Sequence, residues 1–96
     1  APAPVLPPAR DRRSAHHVKQ ELYRLRRAVN EAEARVARLD ERRRDLELEF
    51  AAPDLYGDSE RVVALQHALE ANRGEADEAL AAWERAVLAL ESHTAS

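Results

Sequence analysis

The stretch SAHHVKQELYRLRRAVNEAEARVARLDERRRDLELEF, residues 14–50, decides the fold. Its apolar positions step by three and four: Ala15, Val18, Leu22, Leu25, Val29, Ala32, Val36, Leu39, then Arg43, Leu46 and Phe50. Ten of these eleven positions are apolar. Kept up over about five heptads, this is the seam of a coiled coil rather than the broader stripe of an ordinary amphipathic helix. Arg43 is the exception, and its long stem can lie along the seam while its head reaches water.

Working outward, Pro53 ends this first helix, because the residue before a proline is pushed out of the α region. Asp54 to Ser59 then reads as a turn. Asp58 or Ser59 can cap the next helix, and Glu60 suits its first turn. The second helix carries Val62, Leu65, Leu69, Asn72, Ala76, Leu80, Trp83, Val87 and Leu90. Two consecutive fours around Ala76 predict a stutter in the supercoil. Asn72 is a polar seam residue of the kind that fixes register, and Gly74 weakens the helix around it.

Folding the chain back near residue 56 pairs positions whose numbers sum to 112, so Leu22 meets Leu90, Val29 meets Trp83 and Phe50 meets Val62. The predicted architecture is therefore all-α, an antiparallel two-helix coiled-coil hairpin. Helix one spans about 15–51, the turn 52–59 and helix two about 60–92. Residues 1–14, with Pro2, Pro4, Pro7 and Pro8, read as a flexible, disordered proline-rich linker. Ser14 is the predicted N-cap of helix one.

Composition closes off other classes. Cysteine is absent, so disulfides and Cys-based zinc sites are excluded, and aromatic residues make up only 4% of the chain. No apolar run is long enough to span a membrane. His16 and His17 are adjacent and diverge on a helix, while His67 and His93 are isolated, so no metal site is expected. No Walker-type glycine loop and no nucleophile–base set occurs, so no catalytic residue is assigned. The formal charge of -3 hides an asymmetry: residues 1–50 hold 12 Lys and Arg against 9 Asp and Glu, and residues 51–96 hold 3 against 9. Oppositely charged helices lying side by side should attract each other.

The surface offers one candidate chemistry. Arg35, Arg38 and Arg42 fall along one flank of the first seam, with Arg24 farther up it and Arg27 nearby. Guanidinium groups at helical spacing can contact successive phosphates without reading sequence. Arg12, Arg13 and Lys19 form a basic opening able to reach a phosphate backbone. The bland alternative is a solvated face, since Glu31, Glu41 and Asp45 interrupt it and i,i+4 ion pairs are common on exposed helices. Two further expectations concern apolar groups: Leu55 and Tyr56 fold back on Phe50 and Val62, and Trp83 packs in the core rather than stacking on a base.

The turn, Ala52-Pro53-Asp54-Leu55-Tyr56-Gly57-Asp58-Ser59-Glu60-Arg61-Val62, resembles the hairpin tip of the C-terminal domain of ABC-F ATPases of the Uup type. Ala82-Trp83-Glu84 is similar to that family's Arg-Trp-Glu near the end of the second helix, and Lys19-Gln20-Glu21-Leu22 to its entry into the first. Ala52 and Ser59 depart from the Asp and Pro common there. The resemblance implies an accessory domain of a soluble, cytoplasmic bacterial protein whose cassettes, outside this segment, bind ATP and Mg and hydrolyse the nucleotide. It further implies binding to DNA or ribosomal RNA, with the ribosome or the protein's own cassettes as further partners, by a monomeric arm that needs no cofactor of its own. The rival readings are a purely structural or protein-interaction arm, and the coiled-coil arm of a tRNA synthetase.

Overall fold

A computed structural model describes residues 9–95, with side chains from residue 12 onward. Two helices account for nearly all of it: α1, Ala9–Phe50, and α2, Ser59–Ala95, which lie side by side and are joined by a 3-10 turn at Leu55–Gly57. At 1.5 Å per residue α1 is about 63 Å long. No helix among the described residues is long and apolar enough to cross a membrane.

α1 begins before the expected start. Of the predicted linker, residues 1–8 lie outside the described residues, whereas Ala9 to Ser14 are helical, so Ser14 is an interior helical residue and not the N-cap. Ala9-Arg10-Asp11-Arg12-Arg13 contains no Gly or Pro, and nothing in it stops a helix from running back to the residue after Pro8. α2 likewise continues to Ala95, where the Thr94 hydroxyl donates to Leu90 O and Glu91 O, each at 3.1 Å.

The turn is built from short backbone bonds. Leu55 N–H donates to Ala52 O at 3.2 Å and Asp58 N–H to Leu55 O at 2.9 Å. No described residue has positive φ, so Gly57 is not needed for its conformational freedom. Asp58 is the cap of α2, its Oδ1 accepting from Arg61 N–H at 3.1 Å. Leu55 turns inward and is fully buried with Leu46 and Leu65, against Phe50, Val62 and Leu69. Tyr56 does not follow: at 79% exposure it projects into solvent, correcting the expectation that both tip residues fold back. A single 3-10 turn has three residues per repeat, so neighbours point apart, and the core can take one of them.

The seam of α1 is buried or half-buried at the expected positions from Leu22 to Phe50. Ala15 and Val18 are exposed, lying beyond the reach of the described part of α2. In α2 the expected stutter is absent. Ala79 is 1% exposed and takes the seam position, whereas Leu80 is 47% exposed on the rim. The run Asn72, Ala76, Ala79, Trp83 then keeps an unbroken three–four alternation. Hydrophobicity favours Leu over Ala as the core residue, but continuity of the supercoil selects the position.

Register is pinned by Asn72, which is 6% exposed and donates from Nδ2 to Leu39 O at 3.0 Å. Trp83 Nε1 donates to Glu33 Oε1 at 3.2 Å. The two pairs have number sums of 111 and 116, so the expected 112 lies within the range. Each knob sits between two residues of the facing helix rather than opposite one. Gly74 lies on the outside of α2, where an added Cβ would meet nothing within 4 Å. Gly74→Ala should therefore stabilise the hairpin by about 1 kcal/mol in a urea melt, from helix propensity alone.

Candidate nucleic-acid interface

All eight predicted contacts, Arg12, Arg13, Lys19, Arg24, Arg27, Arg35, Arg38 and Arg42, are exposed residues of α1. The structure does not bring them into one cluster. Arg12, Arg13 and Lys19 sit on the overhang of α1 that α2 does not reach. Arg24 is paired with Glu21, and Arg27 Nε donates to Glu31 Oε1 at 3.0 Å. Arg35, Arg38 and Arg42 form a compact set spaced three and four apart, and none has an ion-pair partner among the described residues. Their Cα atoms span about 10 Å of helix.

The sides of the hairpin differ. Arg24, Arg35, Arg38 and Arg42 each directly precede a seam residue: Leu25, Val36, Leu39 and Arg43. Glu33, Asp40 and Glu47 each directly follow one, and so lie on the opposite flank. In an antiparallel pair, residues that follow a seam position on either helix share one side. Glu70, Asp77, Glu84 and Glu91 follow Leu69, Ala76, Trp83 and Leu90 in α2. Asp77 and Leu80 indeed line a trough together with Asp40 and Val36, which fixes the sense. Most carboxylates of α2 therefore stand away from the three free arginines. Glu75 and Glu78 share the arginine flank and form no ion pair among the described residues.

The arginine–carboxylate pairs are local. Arg43 binds Asp40 at 2.9 Å and Glu47 at 2.8 Å, Arg44 binds Asp40 at 2.9 Å, and Arg61 reaches Asp54 at 3.5 Å. Among the described residues none of these pairs joins α1 to α2, so the expected attraction of the two helices takes no such direct form. Arg43, the seam exception, is half-buried with its head held by carboxylates rather than by water alone. Its hydrogen bond, aided by the charges of Arg44 and Arg43, holds the Asp40 carboxyl below the usual carboxylate range. The same hydrogen bond, followed by that of Glu47, raises the Arg43 guanidinium.

Arg61 and Arg85 of α2 also precede seam residues, Val62 and Ala86, and so belong to the flank of the three arginines. They are absent from the predicted set: the flank of Arg85 follows only when the three–four alternation of α2 runs through Ala86 rather than the predicted Val87, whereas that of Arg61 was readable from Val62. Trp83 is half-buried at its seam position, with its indole N–H engaged by Glu33, away from the arginine flank.

In comparison with known proteins, a family model described as the ABC transporter C-terminal domain matches residues 20–85. No curated protein and no solved structure matches the chain. The matched region begins where the overhang of α1 ends and the paired hairpin begins.

Proposed function

The chain belongs to the ABC transporter C-terminal domain family, and from that membership we propose that its hairpin is the accessory arm of an ATP-binding cassette protein and binds nucleic acid through sequence-blind phosphate contacts. Arg35, Arg38 and Arg42 carry the binding. The observation behind this reading is that three exposed arginines spaced three and four apart on one flank have no carboxylate partner among the described residues, whereas Arg24, Arg27, Arg43, Arg44 and Arg61 have one; the other unpaired arginines, Arg12, Arg13, Arg26, Arg73 and Arg85, stand apart from this set. Arginines already paired gain little from a phosphate, because they must first give up a carboxylate. Unpaired ones only release counterions. Arg12, Arg13 and Lys19 add basic groups on the overhang, although Lys19 follows the seam residue Val18 and so stands on the carboxylate flank, and Arg24 and Arg27 are weaker members of the footprint.

Duplex DNA and structured RNA are both ligands on this reading, since a phosphate stripe carries no base information. The partner on the cell's side is DNA or ribosomal RNA, and the ATPase chemistry resides in the cassettes of the parent protein, in the cytoplasm. A titration of labelled duplex DNA and of hairpin RNA at several salt concentrations tests it. The logarithm of the binding constant should fall linearly with the logarithm of salt, with a slope near -3 if three phosphates are neutralised. Failure to bind either ligand at low salt would sink the proposal and favour a purely structural or protein-binding arm.

A further inference from the structure

The flank opposite the three arginines carries a second kind of surface. Because Ala79 occupies the seam, Leu80 is displaced to the rim with 47% of its surface exposed. Beside it a groove of about 420 Å³ runs between the helices, lined by Glu33, Val36, Ala37, Asp40, Leu80 and Trp83. It continues toward the tip past Asp77, sharing Val36, Asp40 and Leu80. The floor is apolar and the rim is carboxylate. Trp83 is fixed there by its bond to Glu33, so one part of the indole is packed and another faces the groove. Glu70 and Glu84 stand one helical repeat to either side of Asp77 on the same stripe of α2. The nearby cations Arg43 and Arg44 are tied to Asp40 and Glu47, so Asp40 is already neutralised; Arg73 on α2 and Arg26, one heptad from Glu33 on α1, are the unpaired cations near this stretch among the described residues, against Glu33, Glu70, Asp77 and Glu84.

We infer that this groove is a docking site for a basic polypeptide segment, an arginine-bearing helix of a partner protein that seats one apolar side chain beside Leu80 and lays a guanidinium on Trp83. Charge complementarity selects the occupant. An apolar floor alone would accept any hydrophobic chain, but the carboxylates on its rim repel acidic ones and leave nucleic acid excluded. A planar guanidinium can stack on an indole and hydrogen-bond a carboxylate at once, a combination that Glu33 and Trp83 present together, with Asp77 farther along the continuing groove to meet a second arginine. The inference is independent of the phosphate reading, because it uses the other side of the hairpin. The two sides together would let one arm bridge a phosphate backbone and a basic protein.

Trp83 is the only tryptophan, so its fluorescence reports directly on the groove. The 96-residue chain is titrated with a short amphipathic helical peptide carrying arginines one turn apart beside a leucine, and with the same peptide carrying Glu in place of Arg. The arginine peptide should shift Trp83 emission saturably, and the Glu peptide should not. Asp77→Lys should weaken the arginine peptide by about tenfold or more, through like-charge juxtaposition. Leu80→Asn should weaken it without altering net charge. The R35E/R38E/R42E variant should keep the peptide site, which separates this result from failure of the phosphate reading. Equal binding of both peptides, no response to Asp77→Lys, or a Trp83 response produced by self-association of the unliganded chain would each overturn the inference.

Discussion

Replacing Arg35, Arg38 and Arg42 together by Glu is expected to abolish binding to duplex DNA and to hairpin RNA at physiological salt. Each phosphate contact contributes about one unit to the salt slope, so removing three flattens the dependence by about 3. Charge reversal adds repulsion where attraction stood. The same three positions changed to Lys should retain most of the affinity, because a sequence-blind contact needs the point charge and not the planar fork. Gel shift or fluorescence anisotropy across salt concentrations measures both variants. Loss of binding in the Lys variant as well would mean that the arginines act through bidentate geometry at a built site. Full binding by the Glu variant would move the interface to Arg12, Arg13 and Lys19 on the overhang.

The second large effect is on stability. Leu55→Ala should destabilise the hairpin by about 2–5 kcal/mol, because Leu55 is fully buried and removal of its side chain leaves a cavity against Leu46 and Leu65. Domains of this size hold only about 5–15 kcal/mol in total, so the variant should approach unfolding at ordinary temperature. The neighbouring Tyr56→Ala should change stability by less than about 0.5 kcal/mol, since that ring is solvated. Urea denaturation followed by circular dichroism distinguishes the two. Equal effects would mean that the tip is closed by both residues.

The hairpin was legible because two signals are strong and local: the three–four alternation of α1 and the break at Pro53. Positions that depend on both helices at once were not. Leu80 outranks Ala79 on hydrophobicity, and only the partner helix shows that the smaller residue fills the seam. Tyr56 beside Leu55 is indistinguishable by composition, and the direction of a three-residue turn decides which one is buried. The start of α1 was misplaced because prolines at residues 2–8 suggest an extended chain, while the residues after Pro8 have no helix breaker of their own. Among site residues, the arginine stripe followed from heptad counting. Separating Arg35, Arg38 and Arg42 from Arg24 and Arg27 required side-chain partners, which sequence spacing offers only as candidates. The groove was not legible at all, because it exists through the displacement of Leu80.

The arginine–carboxylate pairs of the described residues lie within single helices or between the tip and the start of α2. The two arms are held together by apolar side chains, the Asn72 amide and the Trp83–Glu33 hydrogen bond, and among the described residues no arginine–carboxylate pair bridges them. Scaffold and surface thus respond to different variables: heat and denaturant separate the arms, whereas ionic strength touches only what the arms carry. Apart from Glu33, which holds Trp83, charges on either flank can then be rewritten by mutation, whether to change a ligand or to lose one, without passing through an unfolded intermediate. The hairpin is a mounting rail on which binding specificities can diverge while the rail itself stays the same.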